Sequence, residues 1–277
     1  MQEKEITHKH KKIFYRSTGE GPVVVLLHGV PFDGSLWTNQ FYAFPDYKLI
    51  IPDLPGSGRS QIIEDMSMEG MAECVKEIIV HETASLFFKS GEPHSVIVIG
   101  HSMGGYITLA LAEKHPELLN GFGLFHSTAY TDSEERKEAR KKTIKLIEEK
   151  GVSEFVKGSL PNLFSPVTKE QNPELIEDQI SHACNFSPEA IVKYQMAMLQ
   201  RKDRTEVLKK ATVPVLFILG KYDAAVPLKD GLEQGSLADL NYFHVLENAG
   251  HVGMKEESIE TNIILSNYLT NTCRYTP

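Results

Sequence analysis

A serine, an aspartate and a histidine of this sequence lie in settings that suit nucleophilic catalysis. Ser102 is in GHSMGG at positions 100–105, a G-x-S-x-G motif between an apolar run and helical sequence. A serine hydroxyl is a weak nucleophile at neutral pH, so it needs a base within hydrogen-bond reach and a third group that orients the base. The glycines around Ser102 permit a sharp turn from strand to helix that exposes the hydroxyl. We therefore predict that Ser102 is a nucleophile.

Two loops further along the chain supply the base and the acid. His251 lies in NAGHVG at 248–253, between the last predicted strand and the last predicted helix, and an imidazole can both take and give a proton near neutral pH. Asp223 lies in GKYDAAVP at 220–227 and is predicted to orient the imidazole and stabilise its protonated form. The chain order serine, aspartate, histidine agrees with this kind of triad. Structural or pocket-lining roles are predicted for four other histidines: His28, His101, His126 and His244.

Acyl transfer also requires preorganised amide donors for the oxyanion of the tetrahedral intermediate. The amide of Met103 follows the nucleophile directly and is predicted to be one donor. The turn HGVP at 28–31 follows an apolar run, and the amide of Val30 is predicted to be the other. Because both donors belong to the backbone, side-chain identity matters little at these two positions.

A sheet must position these loops, and the distribution of apolar residues predicts one. Short apolar runs alternate with longer amphipathic stretches, which is typical of parallel strands joined by crossover helices. The fold class is therefore α/β, with a mostly parallel central sheet flanked by helices. Helices are predicted from Met68, from Met103 and over 254–269, where Ile259 and Ile263 are four residues apart. Strands are predicted at residues 23–27, 49–52, 96–99, 119–125, 213–219 and 242–246.

The alternation of strand and helix signals fails between residues 128 and 212. We predict a helical lid over 128–212, inserted into a hydrolase core made of 1–127 and 213–277. Its charged stretch, SEERKEARKKTIKLIEEK at 133–150, is interpreted as a solvated helix face and not as an anion-binding segment. A packing side of the lid is predicted from its apolar residues: Ile144, Ile147, Val152, Phe155, Val156, Leu160, Leu163 and Phe164.

Composition narrows the class of protein. The 277 residues are 41% hydrophobic and 24% charged, which is ordinary for a soluble globular chain. The net charge of −8 argues against a nucleic-acid partner. The first twelve residues are charged and are predicted to be a solvated tail that contains His8 and His10. With no apolar leader or membrane-spanning run, a cytoplasmic protein without a membrane partner is expected.

The remaining composition gives no sign of a metal or cofactor. The cysteines are widely spaced and form no CxxC pair, so neither a disulfide framework nor a zinc site is predicted. No metal and no organic cofactor are expected. The sequence does not indicate an oligomeric state. The three cysteines are Cys74, Cys184 and Cys273.

Taken together, the motifs resemble those of the α/β-hydrolase superfamily, in its branch with a serine nucleophile and a helical lid. The resemblance covers nearly the whole chain and rests on HGVP, DLPGSGRS at 53–60, GHSMGG, GKYDAAVP and AGH, in the family's order. It implies that DLPGSGRS is a turn beside the active site; this segment lacks the Lys-Ser/Thr of a phosphate loop. Epoxide hydrolases and haloalkane dehalogenases of the superfamily carry an aspartate nucleophile, so Ser102 argues against both.

The resemblance implies hydrolysis of a small molecule. Residues 126–132 and the helix after them are similar to lids of enol-lactonase-like and small esterase-like members, so the preferred function is hydrolysis of carboxylic esters or lactones through an acyl-serine intermediate. Carbon–carbon bond hydrolysis, perhydrolysis and thioester hydrolysis are alternatives on the same triad, although HGVP lacks the Gly-Pro-Gly continuation of many diketone hydrolases. A small-molecule receptor that retains the triad is the alternative without turnover. Seven residues are predicted to line an apolar acyl pocket: Phe32, Trp37, Phe125, Tyr130, Leu160, Phe164 and Met196.

Overall fold

Eight strands form one sheet in the computed structural model, which describes residues 1–90 and 96–274. The inner strands are rich in Val, Ile and Leu and are buried on both faces, as expected for parallel strands covered by helices. The strands are β1 (Gln2–His8), β2 (Lys11–Thr18), β3 (Val23–Leu27), β4 (Lys48–Pro52), β5 (Val96–His101), β6 (Leu119–Phe125), β7 (Val215–Gly220) and β8 (Asn241–Leu246).

The strand order is β1-β2-β4-β3-β5-β6-β7-β8. Neighbouring strands from β4 through β8 are parallel, whereas β2 pairs antiparallel with β1 and β4. The winding direction of the chain reverses at β3, which lies between β4 and β5. Ligands of open α/β sheets bind outside the carboxyl ends of the strands at such a reversal. The predicted α/β class with a mostly parallel sheet is confirmed, and the turns after β3 and β5 lie at this place.

The prediction of a solvated N-terminal tail is wrong. β1 and β2 form a hairpin that joins the sheet through β4. His8 is 2% exposed, and its Nδ1 atom lies 2.9 Å from a carboxylate oxygen of Glu77, whereas His10 is exposed in the hairpin turn. The many charges of β1 are consistent with its place at the sheet edge, where charged side chains discourage pairing with other chains.

Helices cover both faces of the sheet. α2 packs on β5 and β6 and against α1, and α11 packs on β6 and β8. The two isoleucines noted in the last predicted helix, Ile259 and Ile263, are 78% and 50% exposed, while Ile264, Leu265 and Tyr268 form the buried face. The helices are α1 (Met68–Ser90), α2 (Met103–Lys114), α3 (Glu134–Lys150), α4 (Val152–Ser159), α5 (Pro166–Gln171), α6 (Pro173–Ala183), α7 (Pro188–Gln200), α8 (Thr205–Lys209), α9 (Leu228–Gly235), α10 (Gly253–Glu256) and α11 (Ser258–Arg274).

The chain between β6 and β7 contains helices α3 to α8 and, over these described residues, no strand. Ser165 and Ser187 each accept a hydrogen bond from a first-turn amide and are followed by Pro166 and Pro188. A side-chain cap satisfies a first-turn amide, and proline fits there because those amides lack a helical partner. These signals divide the segment into short helices, of which α3 packs against α4 and α7.

The described residues lack both a membrane-spanning helix and a cluster of metal ligands. No described helix is both long enough and apolar enough to span a membrane. No group of three or more His, Cys, Asp or Glu residues in the described part of the chain is arranged to hold a metal ion. The three cysteines are free thiols, and Cys74 is buried.

Candidate active site

Ser102 occupies a strained turn between β5 and α2. Its backbone angles are φ 51° and ψ −117°, a conformation that costs a non-glycine residue about 1 to 3 kcal/mol. The surroundings hold it there: the Ser102 amide donates to the carbonyl of Phe125 at 2.9 Å, and the Ser127 hydroxyl donates to the Ser102 carbonyl at 2.7 Å. Strain of this kind persists where the neighbouring structure over-determines it, as it does at many active sites.

Close backbone approaches explain the glycines of this turn. A Cβ atom at Gly100 would lie 2.2 Å from the carbonyl carbon of Gly104. A Cβ atom at Gly29, in the turn after β3, would lie 2.7 Å from the Cβ atom of Ser102. Because neither position has room for a side chain, the turn after β3 packs directly on Ser102.

His251 and Asp223 form a buried pair at the carboxyl ends of the strands. The two side chains are 3% and 0% exposed, and His251 Nδ1 lies 2.8 Å from Asp223 Oδ2. An ionised carboxylate only accepts hydrogen bonds, so Nδ1 is the protonated nitrogen. The other ring nitrogen, Nε2, is then free to accept a proton.

Asp223 is held in its ionised form. Its Oδ1 atom accepts hydrogen bonds from the amides of Ala225 at 2.8 Å and Val226 at 2.9 Å. Burial alone would raise the pKa of Asp223, but the charge of His251 and the hydrogen bonds from His126 and His251 outweigh it and hold the pKa well below its usual range. The carboxylate is therefore able to stabilise a protonated His251.

Two further buried histidines contact this pair. His126 Nε2 accepts from the amide of Gly253 at 3.1 Å, which leaves the proton on Nδ1, 3.3 Å from Asp223 Oδ2. His101 Nε2 lies 2.7 Å from the carbonyl of His251 and donates to it. Burial lowers the pKa of both His101 and His126, so both are neutral. Their positions agree with the predicted structural role.

Glu256 fixes the loop that carries His251, and the sequence did not single it out. Glu256 Oε1 accepts from the amides on either side of His251, at 2.9 Å from Gly250 and 3.1 Å from Val252. Its Oε2 atom accepts from the Ser165 amide and from the Thr168 hydroxyl, both at 2.8 Å. One carboxylate therefore joins the histidine loop to the helical segment. The only sequence signal is an acidic residue five positions after His251, which is common on helices.

Ser102 and His251 line the same small cavity, of about 150 Å³. Its polar wall is formed by Tyr106, Arg136, Arg140, Ser159 and Gln195, and its apolar wall by Val30, Pro31, Phe155, Leu163, Met198, Ala225 and Val226. Pockets for drug-sized ligands are roughly 300 to 1,000 Å³, so this cavity suits a small group.

A cavity of about 320 Å³ lies elsewhere, beside Pro116 and Val213. It is at the opposite, amino ends of β6 and β7, and its lining contains no serine, cysteine or histidine. The smaller cavity is therefore the candidate site, because it alone of the two brings a nucleophile and a base together.

None of the seven residues predicted to line an acyl pocket lines this cavity. Tyr130 is half-buried with its hydroxyl 3.4 Å from Glu233, and Met196 is 47% exposed. The other five are buried in the hydrophobic core, where the ring of Trp37 meets that of Phe125 edge to face. These five, each at most 2% exposed, are Phe32, Trp37, Phe125, Leu160 and Phe164.

The two predicted oxyanion donors lie on either side of Ser102 in the fold. Met103 is the first residue of α2, and Val30 lies in the turn that packs on Ser102 and lines the cavity. Among residues 1–90 and 96–274, neither amide donates a hydrogen bond to backbone or side chain. Both N–H groups are therefore available to a ligand oxygen.

The segment DLPGSGRS has the predicted architectural role. Asp53 is fully buried and accepts from Arg16 at 2.7 Å and from the amide of Arg59 at 2.9 Å. His28 Nε2 accepts from the amide of Leu54 at 2.9 Å, so this histidine supports the turn. His244 lies half-buried on β8, away from the cavity lining.

Comparisons with known proteins identify the family of the chain. Residues 24–261 match the model of the alpha/beta hydrolase family, and the chain belongs to that family. The predicted resemblance and the prediction of a hydrolase are confirmed. The chain is 25% identical over 271 residues, covering 94% of itself and 96% of the relative, to a Serratia proteamaculans protein with the provisional name carbamate hydrolase RutD.

Solved structures extend the comparison. A thermophilic esterase from Thermogutta terrifontis has a TM-score of 0.87 and 28% identity, over 98% of this chain and 99% of that one. The enol-lactonase from Burkholderia xenovorans LB400 has a TM-score of 0.85 and 21% identity, over 96% of this chain and 100% of that one. At that identity the second similarity concerns the fold alone.

Proposed function

We propose that this protein is a serine hydrolase that cleaves carboxylic esters or lactones of a small molecule through an acyl-serine intermediate. Ser102 is the nucleophile, His251 is the general base and acid, and Asp223 orients His251. The observation that carries the proposal is the 2.8 Å contact between His251 Nδ1 and Asp223 Oδ2, together with Ser102 and His251 in one cavity.

In the acylation step, His251 Nε2 takes the proton of the Ser102 hydroxyl while the oxygen attacks the carbonyl carbon of the substrate. The carbonyl oxygen becomes an oxyanion, which the amides of Val30 and Met103 hold. When the intermediate collapses, His251 gives its proton to the leaving alkoxide. An alcohol departs, or a lactone ring opens, and the acyl group is bonded to Ser102.

In the deacylation step, water takes the place of the alcohol. His251 accepts a proton from the water, whose oxygen attacks the acyl carbon, and the same two amides hold the second oxyanion. His251 then protonates the Ser102 oxygen as it leaves, which releases the carboxylic acid. Asp223 keeps its negative charge throughout and stabilises the protonated imidazole.

Residues 128–212 act in this proposal as a lid over a core formed by 1–127 and 213–277. Support comes from the cavity, whose walls include Arg136 of α3, Phe155 of α4 and Met198 of α7. The segment therefore excludes water from one side of Ser102 and helps to choose the substrate.

The similarity to an esterase at 28% identity over almost the full chain supports an ester or lactone as the substrate. The provisionally named carbamate hydrolase is similar over the full length as well, and a carbamate presents the same carbonyl carbon to a serine nucleophile. A carbamate is therefore the second candidate substrate. The small cavity favours a short acyl or alcohol group in either case.

Fluorophosphonate labelling combined with a substrate panel tests this function. The panel holds methyl esters of increasing acyl length, a lactone, a carbamate and a thioester. We expect the probe to label Ser102, multiple turnovers on an ester or lactone, and loss of both labelling and turnover in Ser102→Ala. The matched control is Ser236→Ala, which removes an exposed serine at the C-terminal end of α9. This variant should keep both labelling and turnover. Labelling and near-full turnover by Ser102→Ala would refute the nucleophile, and tight binding without turnover would favour a receptor.

A further inference from the structure

Two arginines of α3 line the cavity that holds Ser102 and His251. Arg136 and Arg140 are four residues apart, so they lie on one face of the helix. Both are half-buried, and Arg140 is 17% exposed. The charged stretch of α3 therefore has a second face besides the solvated one predicted from the sequence.

The two faces of α3 differ in how their charges are paired. Away from the cavity, the half-buried Lys137 pairs with the exposed Glu134 at 2.7 Å, and the exposed Lys141 pairs with the exposed Glu138 at 2.5 Å. On the cavity face, Arg136 forms no ion pair with a carboxylate of the described residues. Its Nη2 atom donates to the carbonyl of Ala225 at 2.5 Å, which fixes the guanidinium beside the loop that carries Asp223.

Arg140 belongs to a cluster with an excess of positive charge. The buried carboxylate of Asp132 accepts from Arg140 Nε at 2.5 Å and lies 2.9 Å from Arg201 Nη2. The guanidinium of Arg201 stacks on the ring of Tyr106, 4.1 Å from its centroid. The Asp132 carboxylate is thus shared by two guanidinium groups, those of Arg140 and Arg201, and no carboxylate of the described residues pairs with Arg136, the other arginine of the cavity wall. The chain as a whole carries a net charge of −8, so the positive sign is a local property of the site.

Donors on this wall remain open to a ligand. A guanidinium has five N–H groups, of which Arg136 uses one on Ala225. Arg140 uses two on Asp132 and one on Gln195. The fork of an arginine matches the two oxygens of a carboxylate, and charge-assisted hydrogen bonds of this kind are stronger than neutral ones. A partly buried cation without a counter-ion is costly, and a bound carboxylate would remove that cost.

We propose that the site is specific for small esters whose acyl or alcohol part carries a carboxylate, bound by Arg136 with Arg140 beside it. This inference rests on the proposed function of Ser102 and His251. It places the reacting carbonyl at Ser102 and the anionic group of the same substrate against α3. The cavity volume of about 150 Å³ limits such a substrate to a short chain between the two groups.

The test compares pairs of esters that differ only in charge. Monomethyl glutarate is paired with the methyl ester whose distal carboxylate is a carboxamide, which places the anion in the acyl part. O-acetylglycolate is paired with O-acetylglycolamide, which places it in the alcohol part. We expect kcat/KM to favour the carboxylate about 10- to 100-fold in one pair, the range of a charged hydrogen bond.

Variants of α3 identify the residue responsible. Arg136→Gln should lower the carboxylate-to-carboxamide ratio at least tenfold, and Arg136→Lys should restore part of it. Lys142→Gln, which removes the same charge from an exposed position of the same helix, should leave the ratio unchanged. An unchanged ratio in Arg136→Gln, or a wild-type preference for the carboxamides, would overturn the inference.

A binding measurement separates this inference from the proposed function. Monomethyl glutarate is titrated calorimetrically into Ser102→Ala and into the double variant Ser102→Ala, Arg136→Gln, with the carboxamide as the reference ligand. Arg136-dependent binding without turnover by the wild type would retain the anion site and refute the hydrolase. Turnover of neutral esters through Ser102, with no preference and no Arg136-dependent binding, would retain the hydrolase and refute the anion site.

Discussion

His182 Nε2 lies 2.9 Å from Asp33 Oδ2, so an ion pair joins helix α6 to the turn after β3. The hydrogen bond with Asp33 raises the pKa of His182 above its ordinary value. Burial would raise the pKa of Asp33, but the hydrogen bonds of His182 and Ser35 outweigh it and keep that pKa well below its usual range. The pair therefore depends on pH from both sides.

We expect His182→Gln to lower stability in a limited pH window. The pKa of His182 is higher in the folded protein than in the unfolded chain, where it is about 6.5. The pair with Asp33 therefore contributes its full stability below pH 6.5, and this contribution is lost as the pH rises through the pKa of the folded state. The pKa of Asp33 is lower in the folded protein than in the unfolded chain, where it is about 3.9. Its contribution to stability is therefore present above pH 3.9 and is lost as the pH falls through the pKa of the folded state. The difference in melting temperature between wild type and variant should be largest between about pH 4 and 6.5 and should shrink by pH 8.

The size of this effect is limited by solvent. The side chain of His182 is 46% exposed, and exposed ion pairs contribute about 0.2 to 1 kcal/mol, or roughly 0.3 to 2 °C in a chain of this length. His81→Gln, at an exposed position of α1, is the control and should show no such window. A difference between wild type and His182→Gln that stays constant from pH 4 to pH 8 would contradict the pairing.

Asp223→Asn should lower kcat by about 10⁴-fold, by analogy with the same substitution in the serine protease triad. The asparagine amide can present its N–H₂ group to His251 Nδ1 and so favour the wrong imidazole tautomer. Steady-state kinetics on the best ester measure the loss, and circular dichroism checks that the fold is kept. If the variant lost less than tenfold, another carboxylate would have to orient His251.

Gly29→Ala should impair activity more than its single added methyl group suggests. The new Cβ atom would lie 2.7 Å from Ser102 Cβ and 3.1 Å from the His101 carbonyl, so the turn after β3 must move away from Ser102. Because that turn carries the Val30 amide, we expect kcat to fall about 10²- to 10³-fold, the cost of losing one oxyanion donor.

Gly158→Ala is the matched control for this substitution. A Cβ atom at Gly158, inside α4, would meet nothing within 4 Å. We expect unchanged kinetics and about 0.5 to 1 kcal/mol of added stability, since alanine favours a helix interior over glycine. Equal activity of the two glycine variants would show that the turn after β3 is not part of the site.

Glu256→Gln should reduce activity by loosening the loop of His251. A glutamine has one oxygen where Glu256 has two, and its amide group would face N–H or O–H donors on one side. One pair of donors then loses its acceptor, which costs about 1 to 3 kcal/mol. Because the loop of His251 is then held less firmly, kcat should fall by roughly tenfold or more.

Glu260→Gln, at an exposed position of α11, is the control for Glu256→Gln. The rate of labelling by a fluorophosphonate measures the reactivity of Ser102, which depends on His251 as its base, independently of substrate binding. A lower melting temperature with an unchanged labelling rate would assign Glu256 to stability alone.

The sequence predicted the parts of this structure that are encoded locally. The triad loops follow apolar runs, and the glycines around Ser102, such as Gly100, indicate a sharp turn in the motif itself. Two strands were missed because β1 and β2 are short of apolar residues at their exposed ends and lie at or near the sheet edge, where charge is tolerated. The spacing of Ile259 and Ile263 indicated a helix but not which of its faces the sheet would cover.

The cavity wall could not be predicted in the same way. Nothing in the sequence of α3 distinguishes Arg136 and Arg140 from Lys137 and Lys141, which pair with glutamates away from the cavity. Only the packing of α3 against α4 and α7 decides which charges meet the site. Phe32 and Trp37 were wrongly predicted to line the pocket. Their size and their position just after HGVP suit a pocket, but both side chains are buried in the core.

The bond from the His251 amide to the Leu163 carbonyl, 2.6 Å long, and the four contacts of Glu256 have one mechanical implication. The strip 163–168 cannot swing outward without withdrawing support from the imidazole. If a substrate entered by that route, His251 would be displaced from its position beside Ser102. It could accept a proton again only after residues 163–168 had closed. An entrance on the side of α3 and α7 would leave the acceptor undisturbed.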